Sequence, residues 1–305
     1  MNTLVNFINT DIRMMTPILI AALGLVYGER SGVLNIGAEG IMLVGTFAGF
    51  AGAVFTGSVW GGFLIAMAAG LTLGVLFAVL TITLQADQTV VGAAMNILGV
   101  GLSTLMNRAI FGINHEIPKI NQLKNIHIPV LSDIPVIGTL LFDYNALVYI
   151  MIAFTFVLQF IMFRTKLGLK VRAVGEHPKA CDTLGINVYR VRYGAVLYSC
   201  MMCGLAGAYM STVQLSSFSE NMVGGRGYIA LSAVVFGRYS PLGVLLAGLV
   251  FGAGQALEVK LAATQINVPD QFLQMVPYIL TVLALVFTAG RTRGPAAETI
   301  PYEKD

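Results

Sequence analysis

The chain has 305 residues, of which 56% are hydrophobic and only 11% are charged, and its formal net charge is +3 at pH 7. The charged share is roughly half of that in soluble proteins, so the polar residues are too few to cover a water-exposed globular domain. Intrinsic disorder is excluded as well, because the chain has abundant apolar material to bury. The 34 glycines are typical of helices that pack closely in lipid.

Long runs without charge predict the membrane spans. A hydrocarbon core about 30 Å thick takes roughly 20 helical residues. The first apolar run, 14–28, is shorter than this, and we expect its helix to begin before Arg13. The uncharged residues between Glu39 and Asp87 are enough for two spans, with the turn at 56–58 between them. Further spans are predicted at 88–107, 144–163, 193–219 and 271–290.

The region 227–257 divides into two apolar segments, separated by Arg238 and the turn signal Ser240–Pro241. The first segment, 227–237, is too short to cross alone unless its helix begins near Met222. It either spans, which gives nine crossings, or is re-entrant, which gives eight, and we favour nine. The predicted fold class is an all-α polytopic membrane protein with about 8–9 transmembrane helices, some broken or re-entrant, in a single domain 1–305.

The distribution of positive charge predicts the orientation. The loop 164–192 is strongly basic, whereas the loop 114–143 has only two lysines and three prolines and is expected to be external. With nine crossings the basic loop and the C-terminal tail lie inside, and the N-terminus lies outside. The basic residues of the loop are Arg164, Lys166, Lys170, Arg172, Lys179, Arg190 and Arg192, and those at the start of the tail are Arg291 and Arg293.

The basic loop contains the signals of a short surface helix. Pro178 suits the first turn of a helix over 179–184, and Gly185 suits its C-terminal end. Glu176, just before it, favours the positive end of the helix dipole. A short helix between two spans is well placed to bind a partner protein. The alternative is a solvated loop that only fixes the topology.

Three stretches resemble one transporter family. RAVGEHPKACDTLGI, at 172–186, is similar to the cytoplasmic loop of permeases in the branched-chain amino acid, sugar and nucleoside group of ABC importers. ERSGVLNIGAEGIMLVGTFAGF, at 29–50, and GGRGYIALSAVVFGRYSPLGVLLAGLVFG, at 224–252, resemble the first and last signatures of the same group. The loop departs from the general importer pattern, Glu-Ala-Ala-x-x-x-Gly, at Lys179 and Cys181.

The resemblance implies a function and a set of partners. In these permeases the loop forms the coupling helix, which docks in a groove of the ATPase subunit. The resemblance is closest to the nucleoside and simple-sugar branch, so the expected function is the permease subunit of a bacterial importer for nucleosides. Permeases for simple sugars or branched-chain amino acids are the alternatives. The coupling residues implied here are Arg172, Gly175, Glu176, Pro178, Ala180 and Gly185.

The expected setting is the bacterial plasma (inner) membrane, which the chain crosses several times in contact with lipid. The expected partners are the ATPase, a second related permease or a second copy of this chain, and an extracytoplasmic substrate-binding protein, a lipoprotein in Gram-positive cells. That protein would deliver substrate near 114–143 and 216–226. No nucleic acid is expected as a partner. No cofactor is expected on this chain, because ATP would bind to the partner subunit.

Polar residues inside the predicted spans are the candidates for a substrate pathway. Asn96 and Asn107 are 11 residues apart, about three turns along one helix face. An uncharged polar path suits a nucleoside or sugar, although amides also bridge helices. Glu39, at a predicted span end, and Asn35 complete the candidate set, and an interfacial role is the alternative for Glu39.

Glycines have two predicted roles. Pairs at four-residue spacing, as at 45 and 49 or 70 and 74, favour close helix packing, with a hinge role as the alternative. The glycines in 32–37 and 224–227 precede spans and predict broken helix starts. Within the membrane, such helix starts are tolerated only where they are buried in protein or line a cavity. Both segments are therefore candidates for moving gates.

The sequence lacks the residues that other functional classes would require. The P-loop motif is absent, so ATP chemistry is expected on a separate subunit. Cys200 and Cys203 have the spacing of a redox or zinc pair, but a mid-span position favours simple packing. An ion-gradient-driven secondary transporter would need paired intramembrane carboxylates, whereas the acids here lie at predicted span ends. We therefore expect a transport subunit that is not an enzyme.

Overall fold

A computed structural model describes residues 2–112, 120, 123, 125, 143–263, 272, 275–288 and 293–304. Every regular element in these ranges is helical. The helices in chain order are α1 (Asn2–Arg30), α2 (Ala38–Thr56), α3 (Val59–Ala78, extended by a π-helical turn at Val79–Thr83), α4 (Gln88–Phe111), α5 (Ala146–Arg164), α6 (Lys166–Glu176), α7 (Pro178–Thr183), α8 (Val188–Tyr209, extended by a π-helical turn at Met210–Gln214), α9 (Arg226–Phe236), α10 (Pro241–Ala263) and α11 (Val276–Thr288).

Seven helices of the described ranges are long and apolar enough to cross a membrane: α1, α2, α3, α4, α5, α8 and α10. They confirm the predicted spans up to 219 and the one that begins near 239. The first helix extends back past Arg13, and α2 and α3 are separated at Gly57, which has a left-handed φ of +67°. Of the predicted span 271–290 the structure describes 13 helical residues, Val276–Thr288. The predicted external loop lies outside the described residues, except for 120, 123, 125 and 143.

Three helices form the centre of the bundle. In the apolar windows of α1, α2 and α8, 83%, 83% and 78% of the residues are buried, against 33% to 44% in α3, α4, α5 and α10. The outer helices therefore keep broad apolar faces toward lipid or a partner, and the central three pack mainly against protein.

Close backbone contact holds α2 against α8 and against α4, and the contact with α8 is made by the predicted glycine pair 45 and 49. A Cβ atom on Gly45 of α2 would lie 2.4 Å from the carbonyl oxygen of Gly204 in α8. A Cβ atom on Gly99 of α4 would lie 2.4 Å from the Cα atom of Gly40 in α2. Both separations are too short for any side chain, so the absence of a side chain is what lets these helices touch. Other paired glycines that face α8 in this way are Gly24, Gly49, Gly70 and Gly74.

The segment between α8 and α10 crosses the bundle without a spanning helix. It starts beside the C-terminal end of α4, where Phe218 and Phe111 both pack edge-on against the ring of Phe47. Helix α9 then begins only at Arg226. Its 11 residues are about 16 Å long, roughly half of the hydrocarbon core.

The far end of this crossing is fixed by Arg30, at the end of α1. Its guanidinium donates to the carbonyl oxygens of Tyr239 at 2.8 Å and Arg238 at 3.3 Å, just after α9. The prediction that 227–237 forms a spanning helix is therefore wrong. A non-helical stretch and a half-length helix make the crossing together, so the chain still reaches the opposite end of the bundle.

The basic loop and the C-terminal tail lie at the same end of the molecule, which we call the basic end. The backbone amide of Ala297 donates to the carbonyl oxygen of Gly175 at 2.9 Å. The Arg192 guanidinium donates to the carbonyl oxygen of Ile300 at 3.1 Å. The basic loop and the tail therefore lie on the same side of the bundle, in agreement with the orientation predicted from the positive charges. Of the two tail arginines, Arg291 lies outside the described residues.

Candidate functional site

The first feature of the site is a carboxylate at the start of the half-length helix. The two oxygens of Glu39 accept hydrogen bonds from the backbone amides of Gly225 and Gly227, each at 2.7 Å. The first amides of a helix have no partner within it, and its N-terminus carries partial positive charge. Glu39, only 7% exposed, supplies both the acceptors and the compensating charge inside the protein.

An asparagine of α4 joins the same point to a second helix start. The Asn96 side-chain oxygen accepts from the backbone amide of Gly40 at 2.8 Å, and so pairs a free amide in the first turn of α2. Its amide nitrogen donates to the carbonyl oxygen of Ile36 at 3.1 Å and to the hydroxyl of Tyr228 at 2.8 Å. One side chain therefore holds the beginnings of both α2 and α9 in place.

Two glycines make the close approach possible. Gly225 has φ +81°, in the left-handed region, and a Cβ atom there would lie 2.3 Å from the hydroxyl of Tyr278. A Cβ atom on Gly227 would lie 2.6 Å from the Cα atom of Glu39. A side chain on Gly227 would push Glu39 away from the amides, and one on Gly225 would collide with the Tyr278 hydroxyl. The broken helix start predicted for 224–227 is confirmed.

An arginine connects α9 to α10 on the other side of the break. The Arg226 guanidinium donates to the side-chain oxygen of Gln255 at 3.1 Å and to the carbonyl oxygens of Met222 and Val223. It thereby folds the preceding turn back onto the helix. A cavity of about 210 Å³ lies beside it, with Glu258 in its wall.

One face of α9 lines two further cavities. Residues at positions i, i+3, i+4 and i+7 of the helix, which fall on a single face, are all at least partly exposed. Near its N-terminus a cavity of about 340 Å³ is lined by Glu39, Asn96 and Tyr228. Toward the basic end a cavity of about 700 Å³ is lined by Ser232, together with residues of the tail. The cavity-lining residues of the face are Tyr228, Leu231, Ser232 and Val235.

The structure brings together two of the four predicted pathway residues. Glu39 and Asn96 line one cavity. Asn35 instead packs against α8, where its side-chain amide donates to the Cys200 sulfur at 3.3 Å. Its side-chain oxygen has no hydrogen-bond partner in the described ranges. Asn107 lies half-exposed near the C-terminal end of α4 and lines none of the cavities described above. Sequence reasoning missed Tyr228, although it directly follows the glycines that break the helix.

The basic end contains two consecutive short helices. Helix α7 begins at Pro178, and Gly185 follows it with φ +78°, so the predicted surface helix is confirmed to within a residue at each end. Helix α6 was not predicted. The Arg172 guanidinium lies 4.9 Å from the centre of the Phe163 ring, which turns this residue toward α5. Burial raises the pKa of the Cys181 thiol, on the inward side of α7.

The residues implied in coupling divide into buried and exposed sets. Gly175 is buried, and a Cβ atom on it would lie 2.1 Å from the carbonyl oxygen of Arg30. Glu176 precedes α7, as the dipole argument required, but it binds the tail. Its carboxylate accepts from the backbone amide of Ala296 in the tail at 3.3 Å. Arg172 and Pro178 are half-buried, and the exposed residues of the set are Glu176, Ala180 and Gly185. A further residue, Leu184, is 80% exposed at the tip of the loop.

The tail fastens this surface to the bundle. The carbonyl oxygen of Tyr302 accepts from the side chains of Gln85, at 3.1 Å, and Tyr189, at 3.2 Å. The rings of Tyr189 and Tyr302 also pack edge-on, with centroids 5.4 Å apart. Glu298 accepts from the Tyr239 hydroxyl at 3.5 Å, and burial raises the pKa of the Glu298 carboxyl. The loop, the tail and the end of α9 therefore meet at the basic end.

Comparison with known proteins covers nearly the whole chain. Residues 8–293 match the family model described as branched-chain amino acid transport system / permease component. The chain is 42% identical to the guanosine ABC transporter permease protein NupQ of Bacillus subtilis over 299 residues, covering 94% of this chain and 93% of that protein. It is 34% identical to the nucleoside ABC transporter permease protein NupC of Lactococcus lactis, covering 99% and 98%. It is 32% identical to a putative glucose ABC transporter permease protein, TsgC13, of Haloferax volcanii, covering 93% and 92%.

The two asparagines of α4 form a matched pair for a stability test. Replacing Asn96 by Ala leaves the buried amide of Gly40 without its acceptor, so we expect a loss of about 1–3 kcal/mol in unfolding free energy. Replacing Asn107 by Ala, on the same helix, is expected to leave stability nearly unchanged. Thermal unfolding of the purified protein in detergent measures both. Equal melting temperatures for the two variants would contradict the bridging role of Asn96.

Proposed function

The chain belongs to the branched-chain amino acid transport system permease family, and from that premise we propose that it carries nucleosides across the bacterial plasma membrane. The family consists of multi-pass ABC transport subunits that are not themselves enzymes. The observation that carries the choice of substrate is the similarity, over nearly the full length, to permeases for guanosine and for nucleosides. The similarity to a glucose permease makes simple sugars the second candidate.

The proposed pathway runs along the exposed face of α9. The cavity at its N-terminus presents an amide from Asn96 and a hydroxyl from Tyr228, which together donate and accept hydrogen bonds without carrying charge. Such groups suit the hydroxyls and ring nitrogens of a nucleoside. Glu39 lines the same cavity but uses both oxygens to hold α9, so its role here is to position the helix. A pathway role for Asn35 and Asn107 stays a prediction.

A mechanical connection leads from the basic loop to this pathway. Gly175, at the end of α6, packs directly on the backbone of Arg30. The Arg30 guanidinium in turn holds the carbonyl oxygens that follow α9. A push on α7 by the closing ATPase domains would therefore reach the inner end of α9 through two contacts. We infer that α9 pivots about its N-terminus, where Glu39 and Asn96 hold it, and so opens the pathway alternately to the two sides.

An ABC permease works with an ATPase and a substrate-binding protein, and the finer assignments are part of this proposal. The exposed residues of 176–185 bind the ATPase, with Leu184 as an apolar anchor. A second related permease, or a second copy of this chain, completes the pathway. The binding protein is a lipoprotein in Gram-positive cells and delivers substrate at the opposite end of the bundle, near 114–143 and 216–226.

The coupling assignment predicts a specific loss. Replacing Leu184 by Ser, alone or with Ala180 by Arg, removes the apolar anchor while leaving the buried side of α7 intact. We expect substrate uptake to fall by roughly tenfold or more, the size of effect seen when a docked anchor is lost. The matched control is Leu169→Ser, an exposed leucine of α6 outside the proposed docking segment. Uptake by whole cells and ATP hydrolysis by the purified complex are measured together.

The variant protein is expected to reach the membrane and melt at the temperature of the parent, because neither side chain is buried. Hydrolysis should no longer respond to substrate and binding protein. If the double variant takes up substrate as the parent does, 175–185 is not the coupling segment.

Competition for uptake tests the choice of substrate. Cells that carry this permease with its transporter partners are given labelled guanosine or uridine and an excess of unlabelled competitor. Because the chain is similar over nearly its full length to permeases for guanosine and nucleosides, we expect unlabelled nucleosides to compete strongly and ribose to leave uptake of the label unchanged. Leucine is a zwitterion and is not suited to the uncharged amide and hydroxyl of the pathway, so it should not compete either. Competition by ribose would favour the sugar alternative, and competition by leucine the amino acid alternative.

A further inference from the structure

A groove outside the proposed pathway opens between α5, α6 and α8. Its volume is about 520 Å³, and its exposed wall is predominantly apolar. It lies where α5 ends and α8 begins, at the basic end of the bundle. The lining residues are mainly apolar, with Phe154, Leu158 and Ile161 from α5 and Val191, Gly194 and Ala195 from α8.

The floor of the groove is rigid. The hydroxyl of Tyr27 in α1 donates to the carbonyl oxygen of Leu158 at 2.9 Å. The rings of Tyr27 and Tyr198 pack edge-on, with centroids 5.3 Å apart and an interplanar angle of 71°. These contacts within the protein fix the floor, so the groove is formed before a ligand binds. The Tyr198 hydroxyl is buried and has no hydrogen-bond partner among the described residues.

The charges in the lining have one sign. Lys170 of α6 and Arg190 of α8 are both exposed and both line the groove. No Asp or Glu is present among the lining residues that the structure describes. An apolar trough with two cations matches a molecule that has hydrocarbon at one end and negative charge at the other.

A glycine keeps the groove open. Gly194 is exposed, and a Cβ atom on it would meet no atom of the part of the chain that the structure describes within 4 Å. It is therefore not required for contact between helices, unlike the glycines of α2 and α8 in the bundle centre. A large side chain at this position would occupy the groove without displacing the protein around it.

We propose that this groove binds an anionic phospholipid of the inner leaflet. The phosphate lies between Lys170 and Arg190, and an acyl chain lies along the apolar trough over Tyr27. The cytoplasmic leaflet has a negative surface potential, and basic pockets between helices on this side bind anionic headgroups. The trough favours a phospholipid over free phosphate, because burial of an acyl chain adds to the affinity. The bound lipid would span α6 and α8, which flank the coupling helix on either side.

Native mass spectrometry of the full-length chain tests this proposal. The delipidated protein is titrated with phosphatidylglycerol or with phosphatidylcholine of the same acyl chains. We expect the parent protein to retain phosphatidylglycerol preferentially. Gly194→Leu should weaken this binding by roughly tenfold or more, because the leucine occupies the trough. The matched control is Gly101→Leu in α4, since Gly101 is also exposed and a Cβ atom on it would also meet no described residue within 4 Å.

A second pair of variants separates a site from general attraction to negative charge. Lys170→Gln with Arg190→Gln should abolish the preference for phosphatidylglycerol. Arg164→Gln with Lys166→Gln removes the same charge from neighbouring positions outside the groove and should preserve it. Thermal melting confirms that each variant is folded.

Three results would overturn the proposal. The first is equal retention of the two lipids by the parent protein. The second is equal phosphatidylglycerol binding by the Gly194 and Gly101 variants. The third is a Gly194 variant that binds lipid normally but fails to assemble with its permease partner, which would make the groove a protein interface. None of these results bears on the transported substrate, so the proposed function is tested separately.

Discussion

A helix that begins inside a membrane protein leaves backbone amides without partners, and the arrangement here depends on satisfying them. Glu39 accepts from two amides at the start of α9. Each such amide, buried without an acceptor, would cost about 1–3 kcal/mol. The carboxylate also lies against the positive end of the helix dipole, which helps to offset the cost of burying its charge. The start of the half-length helix and the two glycines beside it depend on this contact.

The same contact makes α9 well suited to move. Its N-terminus is held at Glu39 and Asn96, its C-terminal end is held through Arg30, and the face between them lines cavities. A half-length helix with one face along cavities can pivot about its N-terminal contacts with less repacking than a full span whose whole length is buried among neighbours, and the contact with Arg30 moves its C-terminal end. The Arg30 contact connects this pivot to the coupling surface. The helix that Glu39 stabilises is therefore also the one that we propose to move during transport.

Much of the fold could be predicted from the sequence, because long uncharged runs report membrane spans directly. The turn at 56–58, the span at 88–107 and the short helix at Pro178 followed from local signals. The buried position of Glu39 could not be predicted from local signals. Between Arg30 and Ala38 the chain forms no helix and runs back into the bundle beside α4, where the amide of Leu34 donates to Gln88. A charge that looks like the end of a span is therefore buried against another helix, and only tertiary structure shows it.

Hydrogen–deuterium exchange in a Glu39→Ala variant tests the account most directly. We expect faster exchange of the amides in 222–229 than in the parent, with exchange in α8 unchanged. Asp87→Ala is the matched control, because the exposed Asp87 carboxylate also accepts from two first-turn amides, those of Thr89 and Val90 in α4. That variant should loosen only the start of α4. Unchanged exchange over 222–229 in the Glu39 variant would contradict the claim that this carboxylate holds the broken helix.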